Sequence, residues 1–147
     1  MRTQRIAAEA TTEAAPEEVW ALLSDRSTWP SWSPLGSHAG VSPGADGDSD
    51  GVGGIAEFVT GRHRVREEIV EREPLHRLSY TLLSGLPLRD YRAVVEITPS
   101  GAGTHIRWSS TFVPGRPGTG WIYRLALTRV IRGTVTGLAA AAPVRRG

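Results

Sequence analysis

A change of hydrophobic period near residue 115 constrains the fold of this chain more than any other feature. From residue 54 to residue 112 apolar and polar residues alternate, whereas over residues 121–142 apolar residues recur with helical spacing. Strict alternation is typical of strands with one buried face. The alternating region divides into five runs that are separated by short segments rich in turn residues. Five strands with short connections predict an antiparallel meander that is apolar on one face and polar on the other.

The helix predicted over residues 121–142 should cover the apolar face of this meander. On a helical wheel its apolar residues fall within an arc of roughly 100°, opposite Thr128, Arg129, Arg132 and Thr136. A long amphipathic helix that follows a curved antiparallel sheet is expected to lie across the concave face. The residues predicted to face the sheet are Tyr123, Leu127, Val130, Ile131, Thr134, Leu138 and Ala141.

The N-terminal third contains a further strand and a helical segment. Residues 3–12 alternate and predict a half-buried strand. Pro16 suits the first position of a helix, and the two glutamates after it lie near the positive end of the helix dipole. Residues 27–30 end this helix or begin a second short one. Residues 33–54 are rich in Gly and Pro and predict a loop, with a short strand over residues 38–42.

Length and composition exclude several classes of protein. The 147 residues correspond to one domain, which we assign to residues 1–147. The hydrophobic fraction of 39% is too high for a disordered chain, and no apolar run is long enough to span a membrane. Residues 1–15 lack the apolar segment of a secretory signal, so we expect a cytoplasmic protein. Cysteine is absent, which excludes disulfides, thiolate nucleophiles and cysteine-based metal sites.

The charge pattern does not indicate a nucleic-acid-binding protein. All 17 basic residues are Arg, a bias typical of GC-rich bacterial genes, and the net charge is only +2. Arg62, Arg64 and Arg66 form a row on one strand face, but exposed aromatic residues do not interleave with them. We therefore interpret this row as a solvated face that prevents a sheet edge from pairing, and we expect no nucleic-acid partner.

Four short segments follow one another along the chain: residues 15–20 (APEEVW), 29–34 (WPSWSP), 73–80 (EPLHRLSY) and 103–108 (GTHIRW). In this order they resemble the SRPBCC superfamily of START-like proteins, and within it the polyketide cyclase/dehydrase-like group. The resemblance covers roughly residues 5–140. It implies an α+β helix-grip fold, in which a curved antiparallel sheet of about seven strands surrounds one long C-terminal helix. Two short helices would follow strand 1, and a cavity would lie between sheet and helix.

The resemblance also implies a function class. Relatives of this kind bind lipids, hormones, polyketides and other hydrophobic molecules, and some catalyse cyclisation or dehydration. We expect this chain to bind a hydrophobic small molecule in its cavity, with a polyketide cyclase/dehydrase-like activity left open. The alternatives are a non-catalytic carrier or sensor of lipid-like ligands and a protein-interaction module with a filled interior. No cofactor is implied, and a homodimer stays open.

The cavity wall should consist of the inward residues of the strands and of the last helix. In such a fold the core and the cavity wall form one surface, so large inward side chains are candidate ligand contacts. The residues predicted to line the cavity are Phe58, Tyr80, Tyr91, Trp108, Ser110, Phe112, Leu127 and Ile131.

Glu67 is the candidate catalytic residue. It shares a strand face with Val65 and Ile69, the best core candidates of residues 63–71, and would then point into the cavity. Burial there would raise its pKa toward neutrality, which suits a general acid or base for enolisation and dehydration. Pairing with Tyr80, Tyr91 or Arg89 would instead keep it ionised. A register that faces Arg66, Glu68 and Val70 inward, or a bulge, would turn Glu67 outward.

The remaining motifs favour no metal site. Residues 46–57 fit the calcium-loop pattern D-x-D-x-D-G-x5-E, yet no helix precedes Asp46 and Glu57 falls in a strand. We interpret this stretch as a solvated loop, with cation binding as the open alternative. The four histidines, at positions 38, 63, 76 and 105, lack metal-ligand spacing, and we expect surface roles for them. His38 could still face the cavity.

Overall fold

Seven antiparallel strands form one sheet in the computed structural model, which describes residues 2–45 and 47–144. The strands are β1 (Gln4–Thr12), β2 (Ser37–Ser42), β3 (Ile55–Thr60), β4 (His63–Glu73), β5 (Arg77–Ser84), β6 (Leu88–Ser100) and β7 (Gly103–Pro114). Their order across the sheet is β1-β7-β6-β5-β4-β3-β2. The meander predicted from alternation is therefore confirmed as β3 to β7, and the first strand closes against the last.

In the part of the chain that the structure describes, three α-helices complete the fold. They are α1 (Pro16–Leu23), α2 (Trp29–Trp32) and α3 (Gly120–Ala141), and a 3₁₀ turn over Arg26–Thr28 precedes α2. Pro16 and two glutamates occupy the first turn of α1, as predicted. The α3 bounds agree with the predicted helix to within one residue at each end. The helix-grip architecture, with two short helices after strand 1, is thereby confirmed.

The helix α3 packs mainly against β1 and β7, and most of its buried residues lie in its C-terminal half. Ile131, Thr134 and Leu138 are buried there, as predicted. The prediction was wrong for Ala141, which is exposed, and it omitted Val135, which is buried. A helical wheel groups residues by the face they share. It does not show which part of that face the rest of the fold covers.

The core beneath α3 centres on aromatic rings contributed by several elements. Trp29 of α2 is buried and lies 5.5 Å from Phe58, 5.6 Å from Tyr80 and 5.5 Å from Trp108, measured between ring centroids. The Trp29 indole also donates a hydrogen bond to the Leu23 carbonyl at 3.0 Å, which fixes α2 beneath the end of α1. Trp29 thereby packs α2 against three strands of the sheet.

The arginine row on β4 does not protect a sheet edge, which corrects the sequence interpretation. β4 is an interior strand, because β3 and β2 lie beyond it. Arg64 and Arg66 instead bind Glu57 of β3, at 2.8 and 3.0 Å. These bonds, led by that from Arg66, lower the pKa of Glu57. The row therefore ties two neighbouring strands together on the outer face of the sheet.

Candidate functional site

A cavity of about 320 Å³ lies between the N-terminal half of α3 and the concave face of the sheet. Its volume falls at the lower end of the range for small-molecule sites. β4, β5, β6 and β7 supply one wall, and Tyr123 to Thr134 of α3 supply the other. Pro34 and Leu86 from connecting segments, and Thr60 and His63 at the adjacent ends of β3 and β4, also line the space.

Six of the nine residues predicted for the site line this cavity: Glu67, Tyr80, Tyr91, Trp108, Leu127 and Ile131. Phe58, Ser110 and Phe112 do not. Phe58 is covered by Trp29 on one side and by His38, at 5.4 Å between ring centroids, on the other. Phe112 stacks on Tyr91 at 6.4 Å. The two phenylalanines are buried, as the alternation predicts, but neighbouring rings pack against them; Ser110 is buried and does not border the cavity either.

Glu67 lies on the part of the sheet wall that β4 supplies. Its β4 position pairs with Ala56 of β3 and with Leu82 of β5, so strands on both sides hold its backbone. The side chain faces the cavity and is only 7% exposed. Among the described residues, Oε1 has no hydrogen-bond partner. Neither the outward register nor a pairing with Arg89 occurs, and the carboxyl group lies in a largely apolar space with one oxygen unused.

Burial shifts the acidity of Glu67 into the physiological range. Desolvation raises the pKa of its carboxyl group to about 7, and the positive charge of Arg26 only partly opposes this rise. A group with this pKa populates both its neutral and its ionised form near pH 7. It can therefore give or take a proton with little free-energy cost, which is what general acid–base chemistry requires.

Two tyrosine hydroxyls lie on the same wall as Glu67. Tyr80 and Tyr91 have ring centroids 6.4 Å apart, and the Trp108 indole donates to the Tyr80 hydroxyl at 3.3 Å. Burial, reinforced by the nearby Glu67 charge, raises the pKa of Tyr91 to about 12 and that of Tyr80 well above its usual range. Both phenols consequently stay protonated at neutral pH, so they can donate hydrogen bonds to a ligand oxygen.

Arg26 is a buried residue that the sequence analysis did not identify. Its guanidinium group is fully buried and binds Asp50 at 2.9 Å. It also donates to the backbone carbonyl of Glu67 at 2.9 Å, to that of Gly54 at 3.2 Å and to that of Ser49. Arg26 thus joins the long loop before β3 to the strand position that carries the cavity carboxyl. No local pattern distinguishes this arginine from the exposed ones.

The histidines occupy separate places. His63 lines the cavity yet is exposed to solvent, and His76 is exposed. His105 bonds to Glu9 at 3.1 Å on the outer face. His38 lies against Phe58 rather than at the cavity, and burial lowers its pKa. Nothing in this arrangement brings the imidazoles together.

The described carboxylates of the calcium-like pattern do not form a metal site. Asp46 lies outside the described residues. Asp50 is committed to Arg26, and Glu57 is committed to the two arginines of β4. Within residues 2–45 and 47–144, no cluster of three or more His, Asp or Glu side chains has the geometry of a metal site.

Several cavity residues were not predicted as such. Val65, Leu82 and Leu86 on the sheet side, and Ala126 on the helix side, line the space. Val65 and Leu82 carry the alternation signal and could have been named with Glu67. Ala126 could not, because a small exposed residue on a helix gives no signal of its own.

Comparison with known proteins supports the fold and identifies the family. Residues 3–143 match the family model described as polyketide cyclase / dehydrase and lipid transport. No curated protein matches the chain. Several solved structures are similar to it over nearly their whole length. A START superfamily protein from Mycobacterium smegmatis has a TM-score of 0.79 at 12% identity, covering 94% of this chain and 96% of its own.

Two further structures extend this range. A protein from Thermobifida fusca has a TM-score of 0.75 at 25% identity, with 92% of this chain and 90% of its own covered. Norcoclaurine synthase from Thalictrum flavum, solved with dopamine and hydroxybenzaldehyde, has a TM-score of 0.73 at 18% identity, with 95% and 86% covered. At such identities the structural likeness shows the fold alone. The family match spans nearly the entire chain, and the chain therefore belongs to the polyketide cyclase / dehydrase and lipid transport family.

Proposed function

We propose that this protein binds a hydrophobic small molecule in the cavity beneath α3 and that Glu67 exchanges protons with it. The observation that carries the proposal is a buried carboxyl group with a free Oε1 on the wall of a cavity that is otherwise mostly apolar. A buried polar atom without a partner costs free energy unless something binds to it. A ligand that places a polar group or an acidic carbon against Oε1 would remove that cost.

The chemistry that suits this arrangement is proton transfer at a carbon next to a carbonyl. Ionised Glu67 would accept the proton, and a protonated Tyr80 or Tyr91 would donate a hydrogen bond to the carbonyl oxygen as negative charge develops on it. This step, enolisation, precedes aldol-type ring closure, and the reprotonated acid can then assist loss of water. The substrate class is accordingly a hydrophobic ketone, of which a polyketide-like chain is one example.

A non-catalytic carrier is the second candidate, and one observation favours it. Most of the cavity surface is apolar, so the cavity could hold a hydrophobic ligand without any chemical step. A carrier needs the apolar cavity but not the proton exchange of Glu67. The two functions therefore differ in what the removal of Glu67 ionisation should do.

Ligand binding is tested first, with an uncharged solvatochromic dye such as Nile red. We expect saturable binding at neutral pH. We expect Val130→Trp to abolish this binding, because the larger side chain would occupy space in the cavity. Val130 is 38% exposed, so the larger ring can be accommodated without unfolding the protein. Val52→Trp is the matched control, because Val52 is 45% exposed and does not line the cavity. Equal dye binding by both variants would refute the cavity as the binding site.

Proton exchange is tested separately by deuterium incorporation. An aryl ketone such as α-tetralone is incubated with the protein in D₂O, and loss of its α-proton signal is followed by NMR. Enzymatic exchange should fall by about a hundredfold or more in Glu67→Gln, while dye affinity is retained. Exchange that equals the buffer rate in the native protein, together with intact dye binding, would favour the carrier.

A further inference from the structure

The outward face of α3 near its N-terminus is unusually apolar. Trp121 is 67% exposed, Ile122 47% and Leu125 54%, and these three residues, here called the α3 patch, lie within the first two turns of the helix. Most large apolar side chains of this chain are buried, so three adjacent exposed ones form a surface that favours contact with another apolar phase.

The α3 patch is continuous with the entrance of the cavity. Residues four apart on a helix lie on one stripe, so Ile122 is followed on the same side by Ala126 and then by Val130. Ala126 and Val130 line the cavity, and both are exposed. Trp121 and Leu125, also four residues apart, form a neighbouring stripe. A surface placed against the patch would therefore adjoin the cavity entrance.

The charge around the patch selects the kind of partner. After Glu96 the chain contains seven arginines and no Asp or Glu. Arg124, Arg129 and Arg132 are exposed on α3 itself, and Arg116 is exposed just before it. Exposed Trp, Leu and Ile flanked by arginines are the combination that binds an anionic lipid surface, with the rings among the acyl chains and the guanidinium groups at the headgroups.

A second copy of the chain fits this surface less well. In a two-fold contact the same patch meets itself, so the arginines of α3 would face the arginines of the partner. No acidic residue of α3 or of β7 is present to compensate them. An anionic bilayer supplies the missing negative charge together with the apolar phase.

We propose that the α3 patch and the arginines around it dock the protein on an anionic lipid bilayer, with the cavity entrance next to the membrane. The protein would lie on the surface and not cross it, and none of its described helices is long and apolar enough to span a bilayer. Docking would let a hydrophobic ligand pass between membrane and cavity with little exposure to water. The proposal does not depend on the acid–base role of Glu67.

The experiment is co-sedimentation with vesicles of phosphatidylglycerol and phosphatidylcholine in equal parts, compared with phosphatidylcholine alone. We expect binding to the anionic vesicles, weaker binding in high salt and little binding to the neutral ones. Trp121→Ser should lower the partition coefficient by about tenfold or more, and Arg124→Gln with Arg129→Gln should lower it on anionic vesicles. Val52→Ser and Arg107→Gln are controls, since Val52 lies in the loop before β3 and Arg107 is exposed on the outer face of β7, opposite the cavity-lining Trp108.

Fluorescence gives an independent readout in the native protein. All five tryptophans are described, and four of them are at most 9% exposed, so acrylamide should quench Trp121 selectively. Anionic vesicles should protect that fluorescence. The proposal would be overturned if the protein does not sediment with anionic vesicles, or if the patch variants and the controls bind equally. It would also be overturned if the native protein is a dimer that does not bind vesicles and that Trp121→Ser converts to a monomer.

Discussion

Glu67 should make the folded protein less stable as the pH rises toward neutrality. In the folded chain its pKa is about 7, whereas the unperturbed value is 4.5. Between these two values the folded state keeps a proton that the unfolded state has lost. Because the folded state then binds more protons, the free energy of unfolding falls as the pH rises through this window and levels off above it.

The size of this effect follows from the two pKa values. Each pKa unit between folded and unfolded states corresponds to about 1.4 kcal/mol, so ionisation of Glu67 should cost about 3 kcal/mol of stability above pH 8. Glu67→Gln keeps the shape of the side chain and cannot ionise. The free energy of unfolding of the variant, relative to that of the native protein, should therefore increase by about 3 kcal/mol between about pH 4 and pH 8.5.

Urea unfolding followed by tryptophan fluorescence, repeated across this pH range, measures the difference. Comparing variant with native protein cancels groups common to both, including His38, whose pKa is lowered by burial. Glu68→Gln is the matched control, because adjacent strand residues point to opposite faces and Glu68 does not line the cavity. If the stability difference between Glu67→Gln and the native protein does not change with pH, the reasoning about a buried, unpartnered carboxyl group is refuted.

Two further predictions concern the packing and the buried ion pair. Leu138→Ala should lower the free energy of unfolding by about 2–5 kcal/mol, measured with urea. Leu127→Ala should lower it less, because Leu127 already borders the cavity. Equal losses of stability in the two variants would contradict the position of the cavity. Arg26→Gln should cost about 3–5 kcal/mol, since it leaves a partly buried aspartate and several backbone carbonyls unpaired. Its control, Arg64→Gln, removes an arginine that is 66% exposed and should cost less than about 1 kcal/mol; similar losses would show that burial of the Arg26 pair does not matter.

The sequence predicted the strands and the inward direction of their side chains because alternation records both. Glu67 illustrates how far this goes. Its neighbours Val65 and Ile69 indicated that Glu67 faces inward. The opposite register stayed open, because the pattern of one strand does not show how that strand pairs with its neighbours. Pairing of β4 with β3 and β5 decides the register, and those contacts are distant in sequence.

Other features of the site depend on how whole elements pack. Phe58 and Phe112 face inward as predicted, yet they do not border the cavity, because the open space depends on the distance between α3 and the sheet. Arg26 shows the same limit for charge. Its partners lie 23 to 41 residues away along the chain, so no spacing in the sequence could indicate that it is buried.

The two halves of α3 explain why the cavity lies at one end of the protein. At Gly137 the helix approaches α2 so closely that a Cβ atom would overlap the Trp32 carbonyl oxygen. Val135 and Leu138 are buried on either side of this contact. Four turns earlier, Tyr123 faces open space instead. Substitutions in the C-terminal half should therefore act on stability, and those in the N-terminal half on ligand access. Because the membrane-docking residues proposed above also lie in the N-terminal half, the end of the helix that is packed least tightly is the one available for binding.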